Sequence, residues 1–264
     1  MKKKGVYITC GLVCLAAAVI ASGKAYLSSH SVPADKSAAF APTETEAQTQ
    51  AATEVTETTP PTTETEAPYV SPVDFAGLKE VNPDIYAWLS IENTETSYAI
   101  VQDPEDDSYY LTHNSDGDYS PGGAIFSEHV YNGTDFQDPV TILYGHFMRD
   151  GSLFGSLQPD FTDDEFFGKS PKITVYTPEA EYTYGVFAAV PYSNDHILYY
   201  HQFEDEYAFQ GFFDEVMSTR DLSAKFNESY APEPGDKVLI LSTCLIGNNQ
   251  NRFLVMGKML PGDQ

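Results

Sequence analysis

Cys244 closes the apolar run Val238-Leu-Ile-Leu-Ser-Thr-Cys244, and eight residues on Arg252 opens a second one, Phe253-Leu-Val-Met256. A thiol attacks as its thiolate, so a nucleophilic cysteine needs a base or a positive neighbour. Arg252 brings a permanent charge and several N–H donors, which suit an oxyanion forming as sulfur adds to a carbonyl. Six histidines are candidate bases. His30 lies in a low-complexity stretch, His113 and His129 in polar turn regions, and His196 and His201 in a long connection. His146 differs, because it follows Val140-Thr-Ile-Leu-Tyr-Gly145 directly off the end of a buried-looking strand. Gly145 is expected to let the backbone turn there. Each residue alone has a plain structural reading: a packed apolar thiol for Cys244, a surface salt bridge for Arg252. Together, at the ends of three strands, they are equipped for acyl transfer.

The elements that must position them are mostly strands. Short β-rich runs cover 98–101, 124–126, 140–144, 172–176, 181–190, 237–243 and 252–260, separated by turn signals such as Asp116-Gly117, Pro121-Gly-Gly123 and Pro234-Gly-Asp236. Their number and spacing suggest a barrel or sandwich. Asp74 to Val81 reads as a short helix. Asn82-Pro83-Asp84 is expected to start another, with Asn as cap, Pro at the first helical position, and Ile85, Tyr86, Trp88 and Leu89 on its buried side. Phe209, Phe212, Phe213, Val216 and Met217 form a one-sided helical stripe late in the chain. That stripe is expected to be core packing within a long loop of the kind that shapes binding sites.

The N-terminus has its own pattern. Lysines at 2–4 precede an uncharged stretch from Gly5 to Gly23, long enough to cross a bilayer as a helix. Residues 1–27 are therefore expected to be a cytoplasmic lysine cluster and membrane signal-anchor, with the rest outside the cell. A cleaved signal peptide is the rival reading. Residues 28–70, rich in Thr, Glu and Pro, are expected to be a disordered tether spanning on the order of 35 Å. Residues 71–264 then make one domain. Cys10 and Cys14 fall inside the apolar stretch, which leaves Cys244 unpaired in an oxidising compartment. The chain carries 39 acidic against 14 basic residues, a net charge of −25. That excludes a phosphate-neutralising nucleic-acid binder. Asn114-Ser-Asp-Gly-Asp118 lacks calcium-loop spacing and reads as a turn, and no metal or cofactor is expected. Asn132-Gly-Thr134 has the form of a glycosylation acceptor but also reads as a turn.

Several segments resemble the sortases, class B most closely. They are Tyr144-Gly-His146, Met148-Arg-Asp-Gly-Ser-Leu-Phe-Gly155, Leu241-Ser-Thr-Cys244 and Asn251-Arg-Phe253, with Asn82-Pro-Asp-Ile-Tyr-Ala-Trp-Leu89 and Tyr109-Tyr-Leu111 through Asn114. The resemblance covers essentially all of 74–260. It implies a mainly β fold: a closed eight-stranded barrel with N-terminal helices and a helix in the long loop before the cysteine strand. It also implies a cysteine transpeptidase. Cys244 would attack the Thr carbonyl of an Asn-Pro-Gln-Thr-Asn-like sorting signal near the end of a secreted protein. His146 would protonate the leaving amine and deprotonate the incoming one, and Arg252 would hold the oxyanion. The thioester would pass to an amine of a peptidoglycan precursor or cross-bridge. Asn114, Tyr144 and Ser242 match positions that line the substrate groove. The residues after Cys244, Leu245-Ile-Gly-Asn-Asn249, depart from the acidic or aromatic residue often found there, and no acidic partner for His146 is evident.

Three other readings share these features. A pilin-polymerising sortase would use a pilin lysine as the amine. A wall-associated cysteine hydrolase would use water, although such enzymes commonly set the cysteine at a helix start, upstream of the histidine. A non-enzymatic surface adhesin would share the anchor and tether, and would make the thiol incidental.

Overall fold

In this computed structural model the described residues are 35–42 and 69–262. Nine strands run β1 (Ile85–Ile91), β2 (Ser97–Val101), β3 (Ile125–Phe126), β4 (Val140–Tyr144), β5 (Lys172–Tyr176), β6 (Glu181–Tyr192), β7 (Lys225–Phe226), β8 (Val238–Leu245) and β9 (Asn248–Met259). Among the described residues five α-helices accompany them: α1 (Phe75–Val81), α2 (Leu157–Thr162), α3 (Asp164–Gly168), α4 (Ile197–Tyr200) and α5 (Glu206–Met217). The sheet order is β5-β1-β2-β3-β4-β8-β9-β6, and β5 pairs with β6 to close the ring. The result is the eight-stranded barrel expected, with β7 as a two-residue addition on β6. Closure removes the exposed edges that a strand row would otherwise present.

The strands around the thiol are apolar on both faces because both faces are covered. From β8, Leu239 and Leu241 point into the barrel with Phe154, Phe253 and Val255. Val238 and Ile240 point outward and pack with Phe209, Phe212, Phe213 and Val216 of α5. The helical stripe read from the sequence is thus a lid on the outer face. Its first turn is capped by Asp205, whose carboxylate accepts from the Ala208 amide at 2.8 Å. Asn132 pins the neighbouring β4: it is buried, donates to the Val140 carbonyl at 2.8 Å and accepts from the Ile142 amide at 3.1 Å.

The second N-terminal helix is a correction. Residues 85–91 form β1, an interior strand paired with both β2 and β5. Ile85, Tyr86, Ala87, Trp88 and Leu89 are all buried, so the run lacks the alternation of a half-exposed strand, and its spacing imitates a helical stripe. Asn82 follows the end of α1. Its side chain donates to the Tyr110 hydroxyl at 2.7 Å and the Ser115 carbonyl at 3.0 Å, and accepts from the Asp84 amide at 3.1 Å.

The membrane placement is also corrected. No helix among the described residues is long and apolar enough to cross a membrane. The stretch expected to form the anchor lies outside the described residues, as does most of the expected tether. Within the tether range, Ser37–Phe40 form a 3-10 turn, and Phe40 packs against the cluster around Phe75 and Trp88. Asp116 accepts the Lys36 and Ser37 amides at 2.8 and 3.1 Å, and Ser37 Oγ lies 2.9 Å from Ser115 Oγ.

The Asp35 and Asp116 carboxyls meet at this contact and are shifted in opposite directions. Burial and then the Asp35 hydrogen bond push the Asp116 carboxyl up. Burial also acts to raise Asp35, but bonds from Asp116, Ser115 and Ser37 outweigh it and hold that carboxyl low. A raised carboxyl stabilises docking below its unfolded value, and that stability is lost as pH rises through the folded value. Protection of the Ser37 amide, corrected for its intrinsic exchange rate, should therefore fall as pH rises above the ordinary carboxylate range, about 4. Protection that grows as pH rises contradicts the raised Asp116 carboxyl.

Gly145 is glycine for space. Its φ is not positive, and a methyl there would come within 2.5 Å of Ile125 Cδ1 and 2.6 Å of Phe154 Cδ2, both buried side chains. Gly145→Ala should destabilise the protein by about 1–3 kcal/mol, read by denaturant titration. An unchanged midpoint contradicts the packing described.

Candidate active site

Strand register assembles the chemistry. β4 and β8 run parallel with Tyr144 opposite Ser242, and β8 and β9 run antiparallel with Cys244 opposite Arg252. Alternation turns Leu241 and the buried Thr243 inward and leaves Ser242 and Cys244 on the outer face. His146 follows two residues after Tyr144, off the end of β4, and lines the same cavity as Cys244 and Arg252. Three neighbouring strands thus deliver one residue each to a single hollow.

That hollow has a volume of about 290 Å³. His146, Cys244 and Arg252 line it together with Tyr144, Ser242, Leu111, Phe126, Asp107 and Glu128. Arg252 Nη1 lies 3.9 Å from Cys244 Sγ. The same nitrogen donates to the carbonyls of Asn249 at 3.3 Å and Asn251 at 3.4 Å, so the first residues of β9, just past the turn from β8, aim the guanidinium. Gly247 makes this turn with φ +81°, a conformation that favours glycine.

His146 Nε2 lies 3.1 Å from the Leu111 carbonyl. A carbonyl only accepts, so Nε2 carries a proton and Nδ1 is left as the nitrogen able to take one. The imidazole is oriented by backbone, not by a carboxylate, which fits the absence of an evident acidic partner in the sequence. Tyr144 is largely buried, and burial, followed by the charge and hydrogen bonding of Glu128, keeps its phenol protonated far beyond neutral pH.

Of the expected substrate-binding residues, Tyr144 and Ser242 line the hollow and Asn114 does not. Asn114 is buried in the turn to Asp118, where its Oδ1 accepts the Asp118 amide at 2.8 Å and its backbone amide bonds the Asp118 carbonyl at 2.9 Å. Glu128 and Asp107 were not singled out from sequence. Asp107 accepts from His129 Nδ1 at 2.7 Å, and Glu128 meets His196. Neither belongs to a periodic run or motif, and only the fold brings them to the groove. A larger hollow of about 1330 Å³, lined by Ser90, Thr174, Tyr176 and Asp150 among others, has no thiol or imidazole among the described residues of its wall.

No family model matches the chain. Sortase B of Listeria monocytogenes is 29% identical over 189 residues, covering 71% of this chain and 74% of that protein. Sortase B of Staphylococcus aureus is 25% identical over 188 residues, 70% of this chain and 74% of its own. A crystal structure of sortase B from Bacillus anthracis superposes with a TM-score of 0.61 at 28% identity, covering 72% of this chain and 84% of that one. The likeness takes in the closed barrel and the greater part of the described sequence, and on it this chain is a cysteine transpeptidase similar in sequence and fold to the class B sortases.

Proposed function

We propose that the chain cleaves an Asn-Pro-Gln-Thr-Asn-like sorting signal near the C-terminus of secreted proteins and passes the acyl group to a peptidoglycan amine. The observation that carries this reading is the Arg252 guanidinium held 3.9 Å from the Cys244 sulfur at the end of a groove. The Cys244 thiol gives its proton to His146, Sγ adds to the Thr carbonyl carbon, and Arg252 donates to the oxygen as it becomes negative. The C–N bond then breaks and His146 gives a proton to the departing amine, leaving a thioester on Cys244. The incoming amine adds to the thioester carbon and gives its proton to His146. Collapse expels the thiolate and forms the new amide, so the enzyme ends as it began. Tyr144 and Ser242 form the groove wall beside the signal.

An amine competes well with water for a thioester, which favours transfer over hydrolysis once an acceptor is bound. A pilin lysine meets the same chemical requirement, and a panel of acceptor amines separates the two uses.

Incubated with an Asn-Pro-Gln-Thr-Asn peptide, the purified protein should gain the mass of the acyl fragment, and Cys244→Ala should gain nothing. An adduct that survives Cys244→Ala overturns the assignment of the nucleophile. Arg252→Ala should lower kcat/KM by about 10²–10³-fold, and loss below tenfold would remove Arg252 from the oxyanion role. A glycine-based amine should speed turnover and appear in an amide product. Release of the free acid at an unchanged rate points to a hydrolase instead.

A further inference from the structure

Glu128 lies just after β3 and lines the groove with a side chain only 18% exposed. Its Oε2 is closed off from solvent. A carboxylate so placed is costly unless donors meet it. His196, which precedes α4 in the long connection after β6, supplies one. Its Nδ1 accepts the Tyr199 amide at 3.2 Å, so the ring proton of the neutral imidazole resides on Nε2. That Nε2 hydrogen-bonds Glu128 Oε1 at 3.1 Å and lies 2.9 Å from Oε2, which is close in charge but makes no hydrogen bond. Tyr144, at the end of β4, lines the same hollow, and burial and then the nearby Glu128 charge keep its phenol protonated. The His196 ring is flanked by Tyr131, centroids 4.7 Å apart, with Tyr144 at 6.5 Å.

We propose that Glu128 is a positioning residue for the transpeptidase: its carboxylate holds the His196 ring beside Tyr144 and so sets the shape of the groove that receives the peptide. The clasp joins three segments distant in sequence: the end of β3, the end of β4 and the loop that carries α4. Two of its members, Glu128 and Tyr144, face the cavity that also holds the thiol. None of the three touches the reacting sulfur, so the clasp acts on binding of the peptide and not on the chemical step. This inference rests on the transpeptidase reading of the groove.

The test is steady-state kinetics of the whole protein with an Asn-Pro-Gln-Thr-Asn peptide and a glycine-based amine, for Glu128→Gln, His196→Gln and the double variant. Each single variant should raise KM by about three- to tenfold with kcat within about twofold. The double variant should be no worse than the poorer single one, because both remove the same clasp. Unchanged KM, multiplying effects, or a loss confined to kcat overturns the proposal. Should Glu128→Gln fail to fold, the KM and kcat of His196→Gln, altered on a loop side chain 34% exposed, decide alone. If the wild-type protein acylates with no peptide, the transpeptidase reading fails separately. The clasp is then judged by the His196 ring nitrogens in NMR. A fixed Nε2–H form lost in Glu128→Gln supports it, and identical spectra refute it.

Discussion

Cross-strand pairing is the constraint on which the site depends. Cys244 faces Arg252 because β8 and β9 pair antiparallel in one register, and Tyr144 stands beside Ser242 because β4 and β8 pair parallel. A slip of one residue in either ladder would turn the thiol inward, toward Phe154 and Phe253, and leave the guanidinium on the other face. The core prevents that slip. Leu239, Leu241, Phe253 and Val255 fill the barrel while Val238, Ile240, Leu254 and Met256 meet α5 on the outside. Burial on both faces therefore specifies the register twice over. The geometry of the hollow is a consequence of hydrophobic packing several residues upstream.

The groups themselves sit where that packing stops. Cys244, His146 and Arg252 are each only partly buried, at strand ends where the apolar ladder gives way to turns. Backbone carbonyls do the aiming: Asn249 and Asn251 for the guanidinium, Leu111 for the imidazole. Backbone acceptors carry no net charge, so they orient the two cationic-type side chains without neutralising either. The carboxylates near the groove are engaged elsewhere, Asp107 with His129 and Glu128 with His196. This leaves Arg252 the permanent positive charge in the wall of the hollow.

Much of this was legible in the sequence, for physical reasons that differ by element. The runs ending at Tyr144 and Cys244 and the run after Arg252 are β-branched and apolar, bounded by turn residues, so both their type and the strand-end position of the reactive groups could be read. The stripe from Phe209 to Val216 repeats at the helical period and packs as expected. Residues 85–91 were misread because a strand buried on both faces has no alternation to show. The short helices α2 and α3 carry no periodic signal, and Asp163 capping α3 is a local cue too weak to stand alone. Asn114 matched a motif position, yet its amide is used within its own turn. Glu128 and His196, 68 residues apart, could not be paired by any pattern along the chain.

The most direct measurement is a crystal structure of the protein with a sorting-signal analogue bonded covalently to Cys244. The arrangement predicts that the Thr carbonyl oxygen lies within hydrogen-bonding distance of the Arg252 guanidinium, with the peptide running past Ser242 and Tyr144 and the His146 ring beside the leaving-group position. A carbonyl turned away from Arg252, or a peptide lying in the larger hollow near Ser90 and Tyr176, would contradict it.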